Sequence, residues 1–182
     1  MKVLLASVIS AAILLPTGCS NSTTGDQNTV AEKSSGPASQ STGSKAFSPP
    51  AKNLTDADVA KLKWLAGTWK GMDGDKPFYE RYRFEGSSMV VESLKDEKLE
   101  VEDADRFELV DGEFGKGEAE DRSAISEITD NSVQFVPAIK GTGNSFRFER
   151  KDENTWNAIL EWEANGNQPA GSKVYVMQRV PS

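Results

Sequence analysis

Phe78-Tyr79-Glu80-Arg81-Tyr82-Arg83-Phe84 is the stretch whose reading decides the fold. Phe78, Tyr82 and Phe84 share one parity, while Tyr79, Arg81 and Arg83 share the other, which is the period-two pattern of a strand with two unlike faces. The same period returns farther along the chain. Val133 and Phe135 flank Gln134; Phe146 and Phe148 alternate with Arg147 and Glu149; Trp156, Ala158, Leu160 and Trp162 share a side, as do Tyr175, Met177 and Arg179. Turn-forming residues fall between these runs at Asp73-Gly74, Glu85-Gly86, Asp111-Gly112, Asp130-Asn131, Asp152-Glu153-Asn154 and Asn165-Gly166. Short strands joined by polar turns predict an antiparallel sandwich or barrel. An up-and-down run behind a single helix favours the barrel, whose closure removes exposed strand edges.

That helix is expected over Asp56 to about Leu65. Thr55 stands at the N-cap position, Asp58 three residues on as the capping-box acid, and Leu54 and Val59 at the positions of a hydrophobic staple. Val59, Leu62 and Leu65 then follow at helical spacing. Upstream, residues 20–51 are rich in Ser, Thr, Gly, Asn, Gln and Pro, with Phe47 the only aromatic residue. Such a composition buries too little apolar surface to offset ordering entropy, so a disordered tether is expected, about 30 Å in coil dimension. The remaining chain, 52–182, is of a length typical of one domain.

The chain has 21 Lys and Arg against 28 Asp and Glu, a formal net charge of -7. This balance argues against nucleic acid and against adhesion to anionic lipid, both of which need clustered cations. Glu100-Glu102-Asp103-Asp105 and Glu118-Glu120-Asp121 read as charged loops between strands. Neither has the EF-hand spacing, and no metal site is expected. Gly112, Gly115 and Gly117 lack the strand-to-helix setting of a phosphate loop and read as part of a hairpin.

There is no histidine and one cysteine, Cys19. A Ser-His-Asp triad and histidine-ligated metals are therefore excluded, and the commonest general base is missing. Glu80, on the same strand face as Phe78, Tyr82 and Phe84, is the one carboxyl with an interesting setting. If that face points inward, burial raises its pKa unless an arginine pairs with it. An exposed or salt-bridged Glu80 is the alternative.

Lys2, the apolar run Val3 to Leu15, Pro16 and Thr17-Gly18-Cys19 together resemble a bacterial lipoprotein signal. The run is shorter than the roughly 20 apolar residues of a spanning helix. The resemblance implies cleavage before Cys19, diacylglycerol on its sulfur and a third acyl chain on its amine, which together give durable anchoring. Residues 1–18 would then be a signal peptide and 19–51 a lipidated tether. Pro16 occupies the position where the lipobox has Leu, and the alternative is secretory cleavage after Ala12 with Cys19 left as a free thiol. Ser20 stands where an inner-membrane retention signal has Asp, which implies the outer membrane, facing the periplasm.

Trp64-Leu65-Ala66-Gly67-Thr68-Trp69-Lys70-Gly71 resembles the opening of calycin barrels, the group of lipocalins and fatty-acid-binding proteins, where a short helix leads into a Gly-x-Trp strand. It is closer still to an uncharacterised bacterial family related to nitrobindin, and the likeness continues in Glu80-Arg81-Tyr82, Gly86-Ser87-Ser88-Met89, Val133 to Pro137, Phe146 to Arg150 and Val174 to Val180. The fold this implies is all-β: an antiparallel up-and-down calycin-like barrel preceded by one short N-terminal helix. The resemblance also gives Trp69 and Arg179 a structural role, an indole across the closed end beneath a late-strand guanidinium. Nitrobindin-type barrels hold haem through an axial histidine. This chain has none, Pro137 to Asn144 departs from the family pattern, and no cofactor is expected.

The function expected is non-catalytic binding of a small apolar or amphipathic ligand by an envelope protein anchored to the membrane through Cys19. Its pocket would draw on Phe78, Glu80, Tyr82, Phe84 and Met89 from the first strands and on Phe146, Phe148, Trp162, Tyr175 and Met177 from the last, assuming these faces point inward. One alternative is a protein-binding or inhibitory lipoprotein with a filled barrel. A hydrolase or isomerase built on Glu80 is a third, and it requires a polar cleft with a second titratable group. Oligomeric state is left open.

Overall fold

A computed structural model describes residues 48–166 and 168–181. The expected signal peptide, Cys19 and the tether as far as residue 47 lie outside the described residues. Alternating burial and turn chemistry produce ten strands: β1 (Gly67–Asp73), β2 (Lys76–Glu85), β3 (Ser88–Lys95), β4 (Glu100–Val110), β5 (Glu113–Lys116), β6 (Ser123–Ile128), β7 (Ser132–Pro137), β8 (Ser145–Arg150), β9 (Thr155–Trp162) and β10 (Gly171–Arg179). Each pairs antiparallel with the next. β10 returns to β1 through Trp69 opposite Arg179 and Lys70 opposite Gln178, so the sheet closes into an up-and-down barrel.

The helix differs from its expected form. Only α1 (Asp56–Ala60) is α-helical, and Lys61–Leu65 winds on as a 3₁₀ turn. In a 3₁₀ turn residues i and i+3 stack over one another, and here that stacks the fully buried Leu62 and Leu65. The carboxylate of Asp58 accepts the backbone N–H of Thr55 at 3.0 Å and its hydroxyl at 2.8 Å, tying down the start of the helix. The helix lies across one end of the barrel. There the hydroxyl of Ser87, in the β2–β3 turn, donates to Asp56 at 2.6 Å, and the N–H of Leu54 donates to the carbonyl of Gly112, in the β4–β5 turn, at 2.8 Å.

One expectation is corrected outright. Glu100-Glu102-Asp103-Asp105 is not a loop but the first half of β4, eleven residues long. Its acidic residues hide the strand because this part of β4 is exposed almost throughout, and solvated carboxylates cost nothing on an outer wall. Gly115 is likewise a strand residue. A Cβ there would lie 2.3 Å from the carbonyl oxygen of Ser123, so its bareness lets β5 approach β6. Those two strands hold only two registered pairs, Gly115 with Ala124 and Lys116 with Ser123. The next carbonyl along β6, Ile125, is taken by the N–H of Ala51 at 2.7 Å, so the segment entering the domain supports the seam where it opens.

The core is aromatic and sits toward the helix-covered end. Trp156, fully buried, has Trp64, Trp69 and Tyr82 edge-on at 6.1, 5.9 and 5.8 Å and the ring of Phe148 tilted at 4.8 Å. Leu62, Leu65, Phe114, Ile125 and Val133 complete this layer.

Candidate functional site: the open end of the barrel

At the covered end, Gly67, Trp69 and Arg179 form a unit. The indole of Trp69 donates to the carbonyl of Leu65 at 2.7 Å, and the guanidinium carbon of Arg179 lies 4.1 Å over the indole centroid. The same guanidinium donates to the carbonyls of Glu153, Ala66 and Trp64 at 2.9, 2.8 and 3.4 Å. Carbonyls at the end of the helix, Trp64 and Ala66, and one in the β8–β9 turn, Glu153, are thereby satisfied by one rigid fork.

The other end, called the open end, has no α-helix across it among the described residues, and its interior is built differently. β2 sends Glu80 and Tyr82 inward, opposite Trp69 on β1 and Ser93 and Val91 on β3. Glu80 is 3% exposed, and the Tyr82 hydroxyl donates to its Oε2 at 2.7 Å. Burial pushes the Glu80 carboxyl up to about 7, against the opposing pull of the Tyr82 hydrogen bond and the Lys116 charge. Burial, and then the neighbouring carboxylate, push the Tyr82 phenol well above its ordinary range. Glu80 is therefore a carboxyl that exchanges its proton near neutrality while its partner phenol keeps its own.

In front of Tyr82 lies a cavity of about 40 Å³. Of the residues expected at a pocket, Tyr82, Met89, Phe146 and Phe148 line it. Glu80 sits behind Tyr82. Phe78 packs edge-on against Tyr175 at 5.5 Å, and Met177, fully buried, flanks the same Gly71 that Phe78 covers, so these three fill the neighbouring wall. Phe84 lies toward the helix end of β2 and packs against the core, and Trp162 stands at the rim, its indole donating to the carbonyl of Pro169 at 3.1 Å.

Sequence reasoning missed Val91, Asp105, Phe107, Lys116, Ser123 and Phe135, which also line the cavity. Phe135 shares a parity with the buried Val133 and could have been included. Asp105, Phe107 and Leu109 share a parity too, but the acidic run ahead of them masked the strand. The ammonium group of Lys116 forms an ion pair with Asp105 and lies 5.5 Å over the Phe107 ring centroid. A second lysine at this end, Lys173, is paired with Asp73 and lies 4.9 Å over the Tyr175 ring. The open end is thus an aromatic wall carrying the Lys116–Asp105 and Lys173–Asp73 ion pairs and a buried carboxyl, Glu80, that no cation among the described residues touches directly.

Comparison of the chain with protein-family models finds no match, and comparison with curated proteins finds none.

Proposed function

We propose that this protein is a non-catalytic binding protein of the cell envelope, anchored through Cys19, whose calycin-like barrel takes a small apolar or amphipathic molecule at its open end. The observation that carries this reading is the cavity itself, an aromatic wall with polar groups at a few defined points, which is the usual character of a small-molecule site. Its volume shapes the ligand. About 40 Å³ holds a few waters, whereas sites for whole drug-sized ligands run to hundreds of cubic ångströms. A ligand therefore enters by one end, or displaces a side chain that now fills the mouth. Catalysis is not favoured, because the wall is apolar and the partner of Glu80 is a phenol that holds its proton tightly.

The small volume favours one other reading, a filled barrel that serves as a protein-binding accessory. Native mass spectrometry of protein exported to the periplasm separates the two. A co-purifying small molecule, released on unfolding, is the expected result. Bare protein that captures cationic proteins in a salt-sensitive manner would replace the first reading with the second.

A further inference from the structure

We propose that the open-end site is an ammonium site, that its ligand is an amphiphile with a cationic amine head, and that Lys116 is a built-in occupant which such a ligand displaces. This rests on the small-molecule reading above and names the ligand class. The inference comes from what already sits there. The Lys116 ammonium lies over the Phe107 ring, against the Asp105 carboxylate, and close enough to Glu80 for its charge to be felt there. Aromatic faces and carboxylates are the two groups that stabilise an ammonium ion away from bulk water.

The charge balance points the same way. Lys116 and Lys173 each already hold a carboxylate, Asp105 and Asp73, so neither is free to receive an anionic head. Glu80 accepts one hydrogen bond, from Tyr82, on Oε2; among the described residues Oε1 has no donor. A carboxylate has acceptor sites on both oxygens. A second positive charge is therefore welcome at this end, and a second negative one finds both lysines already paired. Displacement also answers the question of space. When Lys116 swings toward solvent, it vacates the volume beside Phe107 that a ligand head needs, so the tight interior and a ligand are compatible.

The test uses the full chain and three probes with the same apolar tail: octylamine, octanoate and 1-octanol, each titrated at neutral pH with tryptophan fluorescence and calorimetry as readouts. Octylamine is expected to bind at least about tenfold more tightly than the other two. Lys116→Met removes the resident ammonium while keeping the linear apolar stem, and should tighten octylamine by about another tenfold with little change for 1-octanol. Asp105→Asn, which takes the charge from the carboxylate that holds the ammonium, should remove most of the preference for the amine. Octanoate or 1-octanol binding as tightly as octylamine overturns the amine assignment and leaves the small-molecule reading standing. No binding of any probe to either protein overturns both. Should Lys116→Met fail to fold, the ranking of the three probes on the natural chain, and its loss in Asp105→Asn, carry the same decision.

Discussion

Gly67 has φ of 128°, and a Cβ on it would lie 2.3 Å from Nη1 of Arg179. Backbone conformation and the space for the guanidinium thus both require glycine, which gives a physical reason for the Gly-x-Trp spacing at the start of β1. Gly67→Ala is expected to cost about 1–3 kcal/mol, read as a shift in urea midpoint at unchanged slope. Arg179→Lys should cost a similar ~1–3 kcal/mol, since a lysine cannot serve three carbonyls and an indole face together. Glu80 has an effect of a different kind. Its folded-state pKa, about 7, exceeds the ordinary 4.5, so the native state holds a proton that the unfolded chain releases. Stability from this group is full below about pH 4.5 and is lost as pH rises through about 7, by roughly 1.4 kcal/mol per unit in between. Glu80→Gln should flatten that decline in chemical denaturation measured across the interval. An unchanged slope would show that Glu80 stays ionised in the fold. Asp58, lowered to about 2 by Lys61 and Thr55, acts only in more acidic solution and does not confuse the measurement. At this scale the sequence disclosed residues but not partnerships. Glu80 could be placed on an aromatic strand face, whereas the meeting of Asp105 with Lys116 depends on a pairing of β4 with β5 that no local pattern announces.

Strands differ in how plainly they are written. β8 puts buried residues on one parity and half-buried ones on the other, and β2 and β9 do so apart from Tyr79 and Ile159, so period two identifies them. β4 does not, because its first half is exposed on both faces, and only Asp105, Phe107 and Leu109 alternate with their neighbours in burial. The 3₁₀ continuation of α1 was also out of reach, since spacing at Leu62 and Leu65 suits either helix type. The elements differ in strength as well. β2 and β3 hold seven registered pairs, and β5 and β6 hold two. A short ladder opens more readily than a long one. The amides of β5 and β6 are expected to exchange with solvent faster than those of β2 and β3 by about tenfold or more in native-state hydrogen exchange. Uniform protection around the barrel would show instead that the contact of Ala51 with Ile125 closes the seam fully. The weak seam also carries Lys116, paired with Ser123.

For the molecule as a whole, closure and up-and-down order were legible because turn chemistry recurs between alternating runs. The volume of the interior was not, since it depends on how side chains from opposite walls meet across the barrel. Phe107 and Phe135, 5.2 Å apart from β4 and β7, are such a meeting. The covered and open ends also set an orientation. The chain enters the domain through Ala51 to Leu54, beside β6 and the β4–β5 turn, and the helix then caps that end, leaving the mouth at the other. If Cys19 is acylated, the anchor precedes an entry, Ala51 to Leu54, that lies on the helix-covered side of the barrel. Acylated, Cys19 would carry several chains, which give durable attachment where a single chain gives only a marginal one. Cys19→Ser is expected to move the protein from the membrane fraction to the soluble periplasmic fraction and to abolish incorporation of labelled palmitate. The folded domain should keep its urea midpoint, because Cys19 lies well before Ala51, the first residue seen bonded to the barrel. Membrane association that survives the substitution would defeat an anchor at Cys19.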